Sequence, residues 1–172
     1  YAVCMPMSYD EGWTYLNFSS KSFLASVAYY PAPNNHILYS ILTNISVIFP
    51  VDVLLAIRLP SMLINILSVF LAYTFIKEFF NKQIALIATS IFSICFMTIY
   101  YGYMARGYSL VVLCFIAAMH AAYKITVANR KIYWLYFSIA NVIGLYTMPS
   151  FLYPFVTVNL FLLIRLGRII FN

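Results

Sequence analysis

Asp10 and Glu11 stand side by side in a stretch with few other charges, and they are half of the four acids in the chain. A carboxylate beside an apolar boundary deprotonates a hydroxyl or orients an acceptor, and an acidic pair also suits a divalent cation. A solvated loop is the plainer explanation of an Asp-Glu dipeptide. His36 follows Asn34 and Asn35, and the three together offer several donors for a phosphate or for sugar hydroxyls. Arg106 lies in the run YYGYMARGY at 100–108. A guanidinium fork matches a phosphate, and tyrosines beside it suit a sugar or an isoprenoid chain. An arginine at membrane depth costs at least about 2.5 kcal/mol on insertion scales, so a partner is expected. Asp10, Glu11 or an anionic lipid headgroup would serve, and snorkelling to the interface is the alternative. Arg58 precedes Leu59-Pro60-Ser61 and is expected at the start of a helix opened by Pro60, a first-turn proline. There it would pin the helix start to the preceding segment. His120, inside an apolar run, is expected to hydrogen-bond a neighbouring helix. Cys4, Cys95 and Cys114 have no metal-ligand spacing, and the last two read as packing residues.

The elements that must position these residues are membrane helices. Of 172 residues, 65% are hydrophobic and 8% charged, with a mean hydropathy of +0.91. A soluble domain is nearer half apolar and a quarter charged, so a water-soluble single domain and a disordered chain are both excluded. The expected fold class is an all-α membrane protein. About five transmembrane helices would follow an outer-face loop with juxtamembrane amphipathic helices. Residues 1–35 form that loop, 36–58 an interfacial or re-entrant helix with its connector, and 59–172 the bundle. The expected crossings lie near 59–76, 83–101, 106–123, 132–148 and 150–166. The run at 36–49 is too short to span. The chain begins and ends within its pattern, as an internal piece of a longer protein would.

Charge sets the orientation. If the five runs alternate, Lys77, Lys82, Lys124, Arg130, Lys131, Arg165 and Arg168 share one side, seven of the ten basic residues. That side is cytoplasmic by the positive-inside rule. Asp10, Glu11, His36, Arg58 and Arg106 then gather on the outer face. The net charge of +6 serves this topology and is not the footprint of a nucleic-acid partner. Phosphate loops, dinucleotide fingerprints, zinc motifs and serine-nucleophile elbows are absent from the sequence.

In order along the chain stand Asp10-Glu11, then Asn34-Asn35-His36-Ile37-Leu38-Tyr39, then Arg58-Leu59-Pro60-Ser61, then Ala105-Arg106-Gly107-Tyr108-Ser109-Leu110. This order resembles the GT-C type polytopic glycosyltransferases, in particular the protein O-mannosyltransferases and the bacterial aminoarabinose transferases. Those proteins carry an acidic pair in the first outer loop, a His- or Lys-Pro-Pro-Leu segment, and Arg-Leu-Pro-Ser at a membrane helix. Many bacterial members add a Glu-Ala-Arg-x-Tyr-x-Leu-like stretch. The chain departs from the pattern at Ile37-Leu38, where the family has Pro-Pro, and at Met104, where it has an acid.

The resemblance implies a multi-pass glycosyltransferase of the bacterial inner membrane, with its active site on the outer face. Its partners would be the bilayer, a polyprenyl-phosphate-linked sugar and an unidentified acceptor. It implies Asp10 as general base or acceptor-orienting carboxylate and Glu11 as its support, with His36 and Arg106 as candidates to face the donor phosphate. Arg58 and Tyr108 would line or brace the site, and Asn35, read from its place beside His36, is a further candidate to bind the donor phosphate or substrate. No cofactor follows from it, and a divalent metal is left open. The other functions weighed are a transporter or flippase-like bundle, which would need ionisable residues near the midplane, and a non-catalytic membrane subunit.

Overall fold

In the computed structural model, residues 4–28, 36–128 and 130–171 are described. Among them no strand occurs. Ser8 caps a short helix, α1 (Tyr9–Thr14), which widens into a π-turn at Tyr15–Ser19. Helices α2 (Phe23–Ala28) and α3 (Ile37–Ser46) follow. The long helices are α4 (Val53–Phe79), α5 (Lys82–Ile94), α6 (Phe96–Tyr103), α7 (Tyr108–Ala128), α8 (Lys131–Thr147) and α9 (Leu152–Phe171). Three stretches are long and apolar enough to cross a membrane: Val53–Phe79, Tyr108–Ala128 and Pro149–Ile169. The bent pair α5–α6 makes a fourth if it is one span. The fold is an all-α membrane protein.

Three expectations are corrected. Pro60 does not open its helix. Asp52 does, its Oδ1 accepting from the backbone N–H groups of Leu54 (2.9 Å) and Leu55 (3.3 Å). Pro60 therefore sits inside α4, two turns along. It has no N–H to donate back to the Ala56 carbonyl. The adjacent Ile57 carbonyl accepts from the Tyr39 hydroxyl at 2.7 Å, so the weakened turn is tied to α3.

The second correction concerns the run expected at 83–101. It breaks at Cys95, and its halves differ in direction by 59°. Cys95 has extended backbone and is exposed, so it is not a packing residue. Cys114 is buried as expected.

The core that holds the bundle is built from small residues. Ala118, Ala121 and Ala122 of α7 let that helix approach α8 and α9 closely, against Phe137, Ala140, Val158 and Leu162. The α8–α9 corner depends on Gly144, because a Cβ there would lie 2.5 Å from the Phe151 ring. The other faces of the long helices carry exposed Ile, Leu and Phe, as lipid contact requires.

The two ends of the bundle differ. α4 and α7 run from the end holding Arg58 and Arg106 to the end holding Lys77 and Lys124, and α5–α6 and α8 return. At the basic end, Glu78 Oε2 accepts from His120 Nε2 (2.7 Å) and Lys124 Nζ (2.9 Å). His120 thus bonds a neighbouring helix, as its setting suggested.

Candidate active site

The acidic pair divides its labour. Glu11 is the third residue of α1 and part of a reciprocal capping box. Its backbone N–H donates to Ser8 Oγ (3.3 Å), and its Oε2 accepts from the Ser8 N–H (2.9 Å). The same carboxylate takes Arg58 as a fork, with Nε on Oε1 at 2.8 Å and Nη2 on Oε2 at 2.7 Å. The backbone N–H of Ala105 completes it at 2.9 Å. Both side chains are 1% exposed. Burial alone would raise the Glu11 pKa. The bonds from Arg58, Ser8 and Ala105 more than reverse that and hold the carboxyl below its ordinary value.

Arg58 also donates to the carbonyls of Met5 (3.1 Å) and Pro6 (3.2 Å), so it pins the segment before α1 to α4. Its guanidinium carbon lies 5.7 Å from the centre of the Tyr103 ring. A cavity of about 270 Å³ opens over the pair, walled by Met5, Pro6, Tyr100, Tyr103 and Met104.

The turn at 104–107, between α6 and α7, is held from three directions. Ser61 on α4 donates to the Met104 carbonyl and lies 2.7 Å from the Tyr39 hydroxyl. Glu11 accepts from Ala105, and His36 Nδ1 accepts from the Gly107 N–H at 2.9 Å. Position 107 has room for glycine only, since a Cβ would meet Thr147 Cγ2 at 2.8 Å and His36 Cβ at 3.2 Å. Burial pushes the Tyr39 hydroxyl pKa well above its usual value.

Arg106, at the centre of this turn, is 4% exposed. Its Nη1 lies 3.9 Å from Asp10 Oδ2, its Nη2 3.4 Å from His36 Nε2, and its guanidinium carbon 5.9 Å from the Tyr108 ring centre. Tyr108 also meets His36 edge-on at 5.5 Å. Because His36 Nδ1 accepts from Gly107, the neutral ring carries its proton on Nε2. Burial and then the Arg106 charge lower the His36 pKa to about 4, against the opposing pull of Asp10, so the ring is neutral at pH 7. An Nε2–H donor and a guanidinium therefore face one region, an arrangement that favours an anion between or beside them. The Asp10 side chain, 46% exposed, borders that region. Its carboxylate is open to solvent, whereas that of Glu11 is enclosed.

Asp10, Glu11, His36, Arg58, Arg106 and Tyr108 thus converge at one end of the bundle, while Asn35 lies outside the described residues. Tyr39, Ser61 and Gly107 also build the site and were not singled out from the sequence. Their signal was membership of the same ordered segments. Among the described residues no three His, Cys, Asp or Glu side chains gather in a way that would hold a metal ion.

No curated protein sequence and no solved structure matches the chain. Residues 37–172 match the sequence family described as dolichyl-phosphate-mannose-protein mannosyltransferase. That stretch includes Arg58, Arg106 and Tyr108, and Asp10 and Glu11 precede it. With the match covering most of its length, the chain belongs to the dolichyl-phosphate-mannose-protein mannosyltransferase family, membrane glycosyltransferases whose sugar donor is a polyprenyl phosphate.

Proposed function

We propose that the chain carries the donor and base site of a glycosyltransferase, with Asp10 as general base. The observation that carries this is the meeting of Asp10, His36 and Arg106 around one region, with Arg106 Nη1 3.9 Å from Asp10 Oδ2. The donor's prenyl chain lies in the bilayer and its phosphate meets Arg106 and the Nε2–H of His36. The acceptor hydroxyl attacks the anomeric carbon, forming the new C–O bond as the bond to the phosphate oxygen breaks. Negative charge grows on the departing polyprenyl phosphate, where the two donors stabilise it. The hydroxyl proton passes to the Asp10 carboxylate. A single in-line displacement inverts the anomeric configuration.

Glu11 and Arg58 do not touch the reacting atoms in this scheme. They fix α1 and the 104–107 turn, and so set the separation of Asp10 from Arg106. By the positive-inside rule the basic end is cytoplasmic, which puts the site at the outer face of a bacterial cytoplasmic membrane. The described residues before α3 then belong to the outer loop, α3 and its connector as far as Asp52 to the interfacial segment, and the helices from α4 onward to the bundle.

The test is sugar transfer from a polyprenyl-phosphate donor to a hydroxyl acceptor by the protein in lipid, with Asp10→Asn beside it. Transfer by the wild type and a loss of about a hundredfold or more in the variant is expected, the size of a general-base effect. Undiminished transfer by Asp10→Asn would remove Asp10 from the mechanism.

A further inference from the structure

The basic end of the bundle carries an unbalanced charge. The chain has four acids. Asp10 and Glu11 belong to the site and Asp52 caps α4, all at the other end. Glu78 alone stands at the basic end, and its Oε2 is already shared by His120 (2.7 Å) and Lys124 (2.9 Å). No carboxylate of this chain is left for Arg165 and Arg168 of α9.

Arg165 stands one turn, about 6 Å, before Ile169, where the third apolar stretch ends. An arginine at that level ordinarily snorkels, with its stem along the helix and its head in water. Arg165 is held differently. Its guanidinium carbon is 6.0 Å from the centre of the Phe79 ring, so the head lies against the end of α4. Phe79 in turn packs on Tyr123 (5.1 Å) and Phe161 (6.4 Å between ring centres). The Arg165 Nε is enclosed there and meets no acceptor among the described residues. The side chain as a whole is half-buried, and its two terminal nitrogens are not enclosed. One edge of the fork is spent against protein, and the other is open to the lipid.

Arg168 adds a second charge. It follows Arg165 by three residues in one helix, which puts both on the same face, and it is exposed. Like charges at this spacing repel. An anion between them removes the repulsion and supplies the missing acceptor. One turn from the end of a span, the phosphate of a lipid headgroup is at the right level. A guanidinium takes two phosphate oxygens at once through paired N–H groups. The Phe79 ring holds the fork in place beforehand, so little freedom is lost on binding. Leu160 and Ile164 precede Arg168 at four-residue steps and are exposed. They give a lipid an apolar track for its chains, which a free phosphate could not use.

We propose that Arg165 and Arg168 hold the phosphate of an anionic phospholipid in the leaflet at the basic end, its chains lying along Leu160 and Ile164. A lipid so held ties α9 to the end of α4. The site is at the opposite end of the bundle from Asp10 and Arg106, and it stands whether or not the chain is a transferase.

The test gives the full chain equal amounts of a phosphatidylglycerol and a phosphatidylcholine with the same acyl chains, and reads the lipids retained by native mass spectrometry. The wild type should retain phosphatidylglycerol roughly five- to twenty-five-fold better, about fivefold for each arginine near an anionic headgroup. Arg165→Gln and Arg168→Gln should each cut the preference about fivefold, and the exposed Arg168 can be replaced without disturbing the packed rings. Lys131→Gln, which removes an exposed charge from the same end on α8, should leave it within about twofold of wild type. A large excess of inorganic phosphate should not displace the lipid. Equal retention of both lipids by the wild type, or a preference that survives either arginine replacement, overturns the proposal. An equal loss in Lys131→Gln overturns it in favour of diffuse charge, and displacement by inorganic phosphate in favour of a free-anion site.

Discussion

Replacing Glu11 by Gln changes one atom and removes one charge, yet its cost should be large. Glu11 Oε1 accepts from Arg58 Nε and Ala105 N–H, and Oε2 from Arg58 Nη2 and Ser8 N–H. Whichever way a glutamine amide is flipped, its NH₂ lands where two donors converge. Two hydrogen bonds are lost, at least one of them to a guanidinium buried to 1% exposure. Charge-assisted bonds contribute about 1.5–3 kcal/mol each, and breaking one side of a buried ion pair costs about 3–5 kcal/mol. The two routes agree on roughly 3–5 kcal/mol. At about 2–4 °C per kcal/mol for a chain of this size, the melting temperature should fall by on the order of 10 °C. Thermal unfolding of the purified protein in detergent reads this directly. A double-mutant cycle sharpens it: Glu11→Gln with Arg58→Met should cost at least about 2 kcal/mol less than the two singles summed, because neither charge is then left stranded. A Glu11→Gln protein within about 1 kcal/mol of wild type, or an additive double mutant, would refute the placement of this pair at the heart of the site.

Acid should weaken the fold through the same site. The His36 pKa drops from 6.5 to about 4 on folding, so its neutral form contributes stability that is whole above pH 6.5 and is lost as pH falls through 4. The loss is roughly 3 kcal/mol at full protonation, and His36→Asn should flatten the stability profile across that window. Glu11, held below 4.5, adds a second loss below that pH. Gly107→Val should abolish transfer while leaving the protein folded, since its branched carbons collide with Thr147 and the ring of His36; transfer at the wild-type rate would show that His36 need not be seated there. Single cysteines at positions 10 and 130, with Cys4 and Cys95 replaced, should react with an impermeant reagent from opposite faces of sealed vesicles. Labelling from the same face would overturn the orientation.

The sequence disclosed the parts of this structure that depend on bulk transfer energy. Apolar runs located α4, α7, α8 and α9, and the ordered segments led to residues that do converge. What it hid depends on local competition. Pro60 reads as a helix start, because Arg58 interrupts the apolar run at 53–59 and nothing in it marks Asp52 as the stronger cap. The break at Cys95 has no proline or glycine beside it, and is legible only in the packing. The division between neighbouring acids was likewise invisible: both belong to α1, but the capping box turns Glu11 inward while Asp10 stays 46% exposed. Ser61 and Gly107 act through a backbone turn, and a turn's hydrogen bonds leave little trace in composition.

In the proposed mechanism one carboxylate takes a proton while one arginine holds the leaving phosphate, and these acts can be separated. The decisive measurement is donor affinity and single-turnover transfer on the same preparations of wild type, Asp10→Asn and Arg106→Gln, with a polyprenyl-phosphate sugar. Asp10→Asn should bind donor with affinity close to wild type and fail to transfer, whereas Arg106→Gln should bind it at least about tenfold more weakly, the loss of a charge-assisted contact. Donor binding unchanged in Arg106→Gln, together with normal turnover in Asp10→Asn, would contradict the account.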